Sequence, residues 1–348
     1  MTRLRFRDQD YKTAGRSVLD CLGANGQDIP HSCRSGVCQG CLMRAVSGVV
    51  PARAQQGLRD TLVSQGFFLA CQCHPVQPLE VSLEGAGAQH YSVRVLGRKI
   101  LVPGIVSLEI TRPLNYEYRA GQVLRLFRDE STWRNYSLAS VPGIEEALHV
   151  HVRHVSGGAV SGWVHERLVV GEEITISGAQ GECCHVSDAP GRKLLLLGTG
   201  TGVAPLWAIA RDALRNGHQG DIHLYHGSRD EAGQYLRDEL EAMQSRSRNF
   251  RYHPSVAPAG GAHPGVAAVA LGEIGNLAHW RVYLCGSPAM VETARMECFL
   301  AGAASGDIFA DAFLPYKASG ADSSPDGPGT LSPTPGRAQQ AGASLESR

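Results

Sequence analysis

Hydrophobic and polar residues alternate in short runs at the start of the chain, which is the pattern of half-buried β-strands. A helical pattern at residues 17–22 interrupts these runs and ends among glycines. The predicted strands are residues 4–7, 41–46, 48–50 and 79–83, and residues 8–15 are a predicted turn. Together they predict a small α+β domain over residues 1–85.

The middle of the chain, residues 90–188, shows further alternating runs after a linker of small residues at 84–89. The runs at residues 93–96, 106–110 and 123–127 are separated by proline and glycine, which predicts consecutive antiparallel strands. These strands indicate an antiparallel β-barrel. In a later run, His149 and His151 share one strand face, which is expected to meet solvent rather than a metal.

The third part, residues 190–316, has a different pattern. Residues 193–197 (KLLLL) form an unbroken aliphatic run, as in a parallel strand covered on both faces. Glycines and a helical pattern follow, and further strands are predicted at residues 221–227 and 281–285, so an α/β parallel-sheet domain is expected. Residues 317–348 are rich in small residues and proline and are expected to be a disordered tail outside the fold.

Length and charge narrow the class of protein. A chain of 348 residues is long enough for two or three domains. Its 33 basic and 33 acidic residues balance, so no broad basic surface for nucleic acid or membrane is expected. The first residues lack the apolar core of a signal peptide, which predicts a soluble, cytoplasmic protein.

Ten cysteines in such a chain point to metal binding or chemistry before disulfides. Cys33, Cys38 and Cys41 follow a C-x4-C-x2-C spacing, and Cys71 lies further on. This is the ligand pattern of a plant-type [2Fe-2S] cluster, in which one loop and one distant cysteine hold the irons. A structural zinc site is the alternative. The remaining cysteines apart from Cys285 are expected to be buried small residues: Cys21, Cys73, Cys183, Cys184 and Cys298.

The first domain resembles the β-grasp ferredoxin domain of bacterial oxygenase reductases. It matches that family's C-R-x-G-x-C loop at residues 33–38, although Gln39 stands where a glycine is common. That difference would alter hydrogen bonding to the sulfurs and so the reduction potential.

The second domain resembles the FAD-binding barrel of the ferredoxin reductase superfamily. Residues 134–137 (RNYS) are similar to its R-x-Y-S motif, and residues 158–161 (GAVS) to its G-x-x-S at a helix start. The resemblance implies that Arg134 binds the FAD pyrophosphate, Tyr136 stacks on the flavin ring and Ser137 approaches the flavin N5. It also implies that the backbone of Gly158, Ala159 and Val160, with the Ser161 hydroxyl, receives the pyrophosphate. Without the resemblance, Tyr136 could be a core residue and residues 157–162 an ordinary turn and helix cap.

The third domain resembles the NAD(P)-binding domain of the same superfamily. Residues 198–205 match its G-x-G-x-G-x-A-P motif after the aliphatic strand, and bare backbone at that helix start suits a dinucleotide pyrophosphate. The residues assigned to the nucleotide are Gly198, Thr199, Gly200, Thr201, Gly202, Ser228 and Arg229. Ser228 and Arg229 would suit NADPH, but residues 255–257 (SVA) lack the arginine that NADPH-specific relatives carry there. NADH is therefore the favoured donor, with NADPH as the alternative.

Four further positions complete the resemblance. Residues 285–288 match a C-G-x-P turn, in which relatives hold the cysteine beside the nicotinamide, so Cys285 and Gly286 are assigned there. Relatives end with an acidic residue and an aromatic over the flavin, which Asp311 and Phe313 could supply. Phe313 could equally be an aromatic that closes a sheet edge.

The order of motifs, [2Fe-2S], FAD and NAD(P), is similar to that of the reductase components of benzoate dioxygenase, phenol hydroxylase and soluble methane monooxygenase. This resemblance implies an electron-transfer enzyme that passes electrons from NAD(P)H to a one-electron acceptor protein, an oxygenase or hydroxylase. One alternative is the same electron path serving another acceptor, such as a deoxysugar dehydratase. A more distant alternative is a zinc-binding protein without enzymatic activity.

Overall fold

The computed structural model describes residues 2–29, 31, 34–36, 41–83, 89–257 and 265–313. Within these residues the chain folds into three sheets, each with its own apolar core. We call the regions around them the N-terminal lobe (2–83), the barrel (89–187) and the C-terminal lobe (188–313). The predicted linker residues 84–88 and the predicted tail 317–348 lie outside the described residues.

The N-terminal lobe is a mixed sheet packed on a short helix. Its strands are β1 (Arg3–Phe6), β2 (Gln9–Lys12), β3 (Leu42–Ser47), β4 (Phe67–Leu69) and β5 (Leu79–Ser82), and its helices are α1 (Val18–Ala24) and α2 (Asp60–Ser64). The strand order is β2-β1-β5-β3-β4, with β1 and β5 parallel. Apolar residues such as Leu4, Phe6, Leu22 and Phe68 are fully buried between sheet and helix. The α+β prediction is confirmed.

The barrel is an antiparallel sheet of six strands in the described residues, with one helix. Its strands are β6 (His90–Val102), β7 (Ile105–Ile110), β8 (Val123–Phe127), β9 (Trp133–Ser137), β10 (Leu148–Arg153) and β11 (Glu173–Ser177), and its helix is α3 (Ala159–Glu166). The strand order is β10-β7-β6-β11-β8-β9. An antiparallel bridge between Leu138 and Val150 brings the two edge strands together and closes the sheet.

The C-terminal lobe is a parallel sheet with helices on both faces. Its strands are β12 (Leu194–Thr199), β13 (Ile222–Ser228), β14 (Phe250–Val256), β15 (Arg281–Gly286) and β16 (Ile308–Ala312). Its helices are α4 (Val203–Arg215), α5 (Arg237–Arg246), α6 (Val266–Ile274) and α7 (Pro288–Leu300). The order β14-β13-β12-β15-β16 places β12 at the centre, and Leu194 to Leu197 are almost fully buried, as the aliphatic run predicted.

Helix α2 lies where no element was predicted, and three local predictions are wrong. Residues 48–50 are not a strand, and residues 8–15 contain β2 rather than only a turn. His151 is buried against Trp207 of α4, with ring centroids 6.4 Å apart, instead of facing solvent. The barrel strand that carries it is covered by another lobe, which the local alternation could not reveal.

None of the helices in the described part of the chain is long and apolar enough to span a membrane.

Candidate functional site

Two of the four predicted cluster ligands lie close together in the structure. Cys41 directly precedes β3 and Cys71 follows β4, and both are nearly buried. The backbone N–H of Cys71 donates to the Cys41 sulfur at 3.5 Å, and the Gln72 side chain donates to the Cys71 sulfur at 3.6 Å. N–H donors directed at sulfur fit an iron–sulfur cluster, whose thiolates accept such bonds. Cys33 and Cys38 lie outside the described residues.

Strand β9 carries the three residues predicted for the flavin on alternating faces. Tyr136 pairs with the fully buried Leu124 and packs against the barrel core, and burial raises its pKa above the usual range. Arg134 lies on the same face, and its guanidinium donates to the Trp133 carbonyl at 2.6 Å. Ser137 lies on the opposite face. A flat, half-buried ring beside a guanidinium fits an FAD, because one supplies a stacking surface and the other a phosphate donor.

The start of α3 contains the second predicted flavin motif. Gly158 caps the helix, and a side chain there would place its Cβ 2.3 Å from Ser161 Oγ, so the turn requires glycine. Ser161 Oγ accepts the Val155 N–H at 3.2 Å, so in this structure the hydroxyl stabilises the turn. The N–H groups of Ala159 and Val160 are the first of the helix and lack carbonyl partners within it. A contact between these groups and pyrophosphate remains a prediction.

The glycine-rich segment predicted for the nucleotide joins β12 to α4. Gly198 and Thr199 end the strand, and Gly200–Gly202 form a single 3₁₀ turn. At Gly202 an added Cβ would lie 2.1 Å from the Cys285 carbonyl oxygen. Only glycine allows β15 to approach this closely, so the turn and Cys285 are held together by backbone contact. This glycine turn at the start of α4 fits a dinucleotide pyrophosphate.

Three residues that the resemblance places near the flavin or the nicotinamide converge where the barrel meets the C-terminal lobe. Ser137 Oγ donates to Asp311 Oδ2 at 2.6 Å, and Asp311 pairs in register with Cys285 on the adjacent parallel strand. Burial raises the pKa of Asp311, and the hydrogen bond from Ser137 partly opposes this. Burial also raises the pKa of the Cys285 thiol, which lies 3.6 Å from the Cys183 sulfur. Phe313 follows β16, and its N–H donates to the Gly286 carbonyl at 2.8 Å.

The residues predicted for the adenosine end lie at the end of β13. Ser228 Oγ donates to the Asp230 carbonyl at 2.7 Å and accepts from the Gln234 side chain at 2.8 Å. Arg229 is exposed. Ser228 pairs in register with Val256 on β14, so the position where NADPH-specific relatives carry an arginine is adjacent to Ser228.

Arg153 was missed by sequence reasoning. It ends β10 of the barrel, yet its guanidinium reaches the glycine turn, since a Cβ on Gly200 would lie 2.5 Å from Nη2. Burial and the nearby Arg153 charge lower the pKa of the fully buried His226 to about 4. No sequence motif around Arg153 identifies it as a binding residue, because the glycine turn that it contacts lies more than forty residues away in sequence.

A cavity of about 700 Å³ lies where all three lobes meet. Its walls include Arg44 and Gln65 of the N-terminal lobe, Arg119 and Gln122 of the barrel, and Arg215 of α4. The residues predicted to bind cofactors are not part of its described lining. The cavity therefore belongs to the contact between lobes rather than to the convergence of Ser137, Cys285 and Asp311.

Three protein families match successive parts of the chain. Residues 7–76 match the 2Fe-2S iron-sulfur cluster binding domain, residues 105–185 the oxidoreductase FAD-binding domain and residues 196–296 the oxidoreductase NAD-binding domain. The [2Fe-2S], FAD and NAD(P)H assignments are thereby confirmed, and the zinc alternative is disfavoured. The individual residue roles remain predictions.

Two relatives match most of the chain. The chain is 32% identical over 323 residues to the ferredoxin–NAD(P)⁺ reductase component of the naphthalene 1,2-dioxygenase/salicylate 5-hydroxylase systems of Ralstonia sp., covering 86% of this chain and 94% of the relative. It is also 32% identical over 300 residues to the reductase subunit of an aromatic O-demethylase of Amycolatopsis sp., covering 80% and 88%.

Solved structures agree with the sequence comparison. A cytochrome P450 reductase of Amycolatopsis superposes with a TM-score of 0.61 at 26% identity, covering 90% of this chain and 99% of that structure. A ferredoxin reductase from carbazole 1,9a-dioxygenase shares the fold with a TM-score of 0.58 at 21% identity, covering 90% and 98%. The chain therefore belongs to the reductase components of aromatic oxygenase systems within the ferredoxin reductase superfamily, and it is an NAD(P)H-dependent flavin iron–sulfur oxidoreductase.

Proposed function

We propose that this reductase uses NADH to reduce an oxygenase or hydroxylase component one electron at a time. In the overall reaction, one NADH and two oxidised acceptors give NAD⁺, one proton and two acceptors that are each reduced by one electron. A bound FAD supplies the conversion between the hydride of nicotinamide and the single electrons that a [2Fe-2S] cluster accepts. The relatives that support an oxygenase partner are reductase components of a naphthalene dioxygenase/salicylate hydroxylase system and of a phenol 2-monooxygenase.

The observation that carries this proposal is the contact between Ser137 of the barrel and Asp311 of the C-terminal lobe. The contact places the buried hydroxyl of Ser137 and the partly buried carboxyl group of Asp311 beside Cys285 at the end of the parallel sheet. Parallel sheets of this kind bind ligands at the carboxyl ends of their strands. A flavin ring on Tyr136 and a nicotinamide at Cys285 would thus meet at one place, which hydride transfer requires.

Each residue here has a binding or orienting task. The Gly198–Gly202 turn and Arg153 hold the phosphates of the dinucleotide, and Arg134 with the start of α3 holds those of FAD. Ser137 provides a hydroxyl that can hold a proton near the flavin, and Asp311 fixes the orientation of that hydroxyl. Cys285 packs beside the nicotinamide and limits the positions it can take.

NADH is the proposed donor because Val256 fills the position next to Ser228 where an arginine would bind a 2′-phosphate. We also propose that the protein works in the cytoplasm, where thiol ligands persist in reduced form. Cell fractionation with an antibody against the chain would test the second point, and recovery in an oxidising compartment would contradict it.

An anaerobic titration tests the function. Purified protein is analysed for iron, sulfide, FAD and zinc, and then titrated separately with NADH and NADPH while visible absorbance and the EPR of the reduced cluster are recorded. We expect bound iron and FAD, bleaching of the flavin by NADH, and an EPR signal from a one-electron-reduced cluster. A protein that contains zinc, or whose cluster stays oxidised after NADH bleaches the flavin, would overturn the proposal. Failure to reduce any oxygenase component despite normal cluster reduction would instead favour another acceptor.

A further inference from the structure

A short segment of the N-terminal lobe carries hydrogen bonds to both other lobes. We call residues 59–65, which comprise α2 and its two flanking residues, the seam segment. Arg119 of the barrel donates to the Ser64 carbonyl at 3.1 Å, and Gln65 donates to the Gly181 carbonyl at 3.2 Å. At the other end, Arg59 donates to the Ser305 carbonyl at 3.4 Å in the C-terminal lobe.

The seam segment also makes an ion pair with Arg281 of the C-terminal lobe. This arginine begins β15 and is only 2% exposed. Its guanidinium donates two hydrogen bonds to Asp188, at 2.7 and 3.0 Å, and a third to Asp60 at 2.9 Å. Asp188 belongs to the C-terminal lobe and Asp60 to the N-terminal lobe, so one buried charge joins them.

The two carboxylates are held unequally. Burial raises the pKa of Asp188, but hydrogen bonds from Arg281 and Asp60 outweigh it and lower that pKa to about 2. The hydrogen bond with Asp188, followed by burial, raises the pKa of Asp60. Asp188 is therefore the fixed partner of Arg281. Asp60, whose side chain is 53% exposed, is the partner that can leave without stranding the buried cation.

The seam segment also reaches the strand that carries Ser137. Gln122 donates to the Gln65 side chain at 3.0 Å, and the Gln122 carbonyl accepts the N–H of Leu138 at 2.7 Å. Leu138 directly follows Ser137. Beyond Gln65, β4 leads to Cys71. The placement of the cysteine pair relative to Ser137 is thus set by the orientation of the seam segment.

We propose that the Asp60–Arg281 ion pair is a positioning device that holds the N-terminal lobe in the orientation in which its cluster receives electrons from the flavin. The inference rests on the proposed function. Asp60 is a positioning residue, since it contacts neither a cofactor residue nor a cluster cysteine in the described structure.

The test uses full-length protein with all cofactors bound and the variant Asp60→Asn, which removes the charge and keeps a similar shape. Stopped-flow absorbance separates flavin reduction by NADH from subsequent cluster reduction. We expect the first rate to stay within about twofold and the second to fall by about tenfold, because the rate of electron transfer falls steeply as the flavin and the cluster move apart or lose their relative orientation. Asp60→Glu should restore most of the second rate.

Two measurements detect the displacement independently of turnover. Hydrogen exchange of amides 59–66 should become faster in Asp60→Asn, and the EPR spectrum of the reduced cluster should be unchanged. The matched control is Asp10→Asn, which breaks the Arg3–Asp10 ion pair of 2.9 Å on the surface of the same lobe. In Asp10→Asn we expect wild-type rates of flavin and cluster reduction and wild-type hydrogen exchange of amides 59–66.

Unchanged cluster reduction in Asp60→Asn, or unchanged exchange of amides 59–66, would overturn the inference. An altered EPR spectrum would also overturn it, since the substitution would then act on the cluster itself. Failure of the wild-type cluster to accept electrons at all would instead overturn the proposed function, whatever the behaviour of Asp60.

Discussion

Ser137 Oγ donates a 2.6 Å hydrogen bond to Asp311 Oδ2, and the two residues lie 174 positions apart in the chain. The bond crosses from the barrel to the last strand of the parallel sheet. The Asp311 carboxyl group is partly buried, and this burial raises its pKa and favours a short, directed contact over solvation. The Ser137 hydroxyl is therefore oriented by a residue of the lobe that binds the nucleotide.

Ser137→Ala should slow flavin reduction by NADH by about a hundredfold, the typical cost of removing one oriented hydrogen-bonding group from a reacting centre. FAD content should be unchanged, because Arg134, Tyr136 and α3 remain. Stopped-flow absorbance of the flavin under anaerobic conditions measures the rate. Ser131→Ala, which removes an exposed hydroxyl bonded to Asp129 in the same barrel, is the control. A wild-type rate in Ser137→Ala would contradict the role of the hydroxyl.

Two neighbouring cysteines should behave differently. Cys71→Ser should lose iron and reduction of cytochrome c, while NADH still bleaches the flavin, because Cys71 is a predicted ligand beside Cys41. Cys73→Ala is the matched control, since Cys73 is fully buried in the core of the N-terminal lobe. In Cys73→Ala, the iron content, the rate of cytochrome c reduction and the rate of flavin bleaching by NADH should stay near the wild-type values. Loss of iron in Cys73→Ala with retention in Cys71→Ser would reverse the ligand assignment.

Arg153→Met should raise the KM for NADH by about tenfold with little change in kcat, as expected for loss of one charged contact to a phosphate. Steady-state reduction of ferricyanide measures both constants. Arg94→Met removes an exposed arginine paired with Glu173 on the same barrel and serves as the control. A fall in kcat at constant KM would show that Arg153 acts on the reaction and not on binding.

Val256→Arg should raise kcat/KM for NADPH by about tenfold, because a guanidinium beside Ser228 can bind a 2′-phosphate in a bidentate manner. The kcat/KM for NADH should change little. Val170→Arg adds the same charge at an exposed barrel position and should leave the preference unaltered. If wild type already prefers NADPH, the choice of NADH made from residues 255–257 is wrong.

The sequence predicted those parts of the fold and site that depend on local pattern. The aliphatic run before Gly198 identified the central strand, and the cysteine spacing predicted a [2Fe-2S] cluster, which the family match over residues 7–76 confirms. Ser137, Cys285 and Asp311 were assigned by resemblance, and only the structure shows them together. Arg153, Asp60 and His151 could not be found in this way, because each owes its environment to a residue of another lobe. Contacts between lobes leave no periodicity or residue spacing in the sequence from which they could be predicted.

His151 gives a pH-dependent prediction. Its burial beside Trp207, with a smaller contribution from His149, lowers the pKa of His151 to about 3. An unfolded histidine binds a proton below about pH 6.5, so between that pH and 3 the unfolded state carries the extra proton. The stabilisation from neutral, buried His151 is thus fully present above about pH 6.5 and is lost progressively as the pH falls.

His151→Gln should remove this dependence. Since one proton corresponds to about 1.4 kcal/mol per pH unit, the loss of unfolding free energy between pH 6 and 5 should be about 1 kcal/mol smaller in the variant than in wild type. Urea unfolding at both pH values, followed by tryptophan fluorescence, measures the difference. His74→Gln, which removes an exposed histidine, should keep the wild-type pH dependence. Equal losses in His151→Gln and wild type would mean that His151 is protonated in the folded protein or exposed to solvent there.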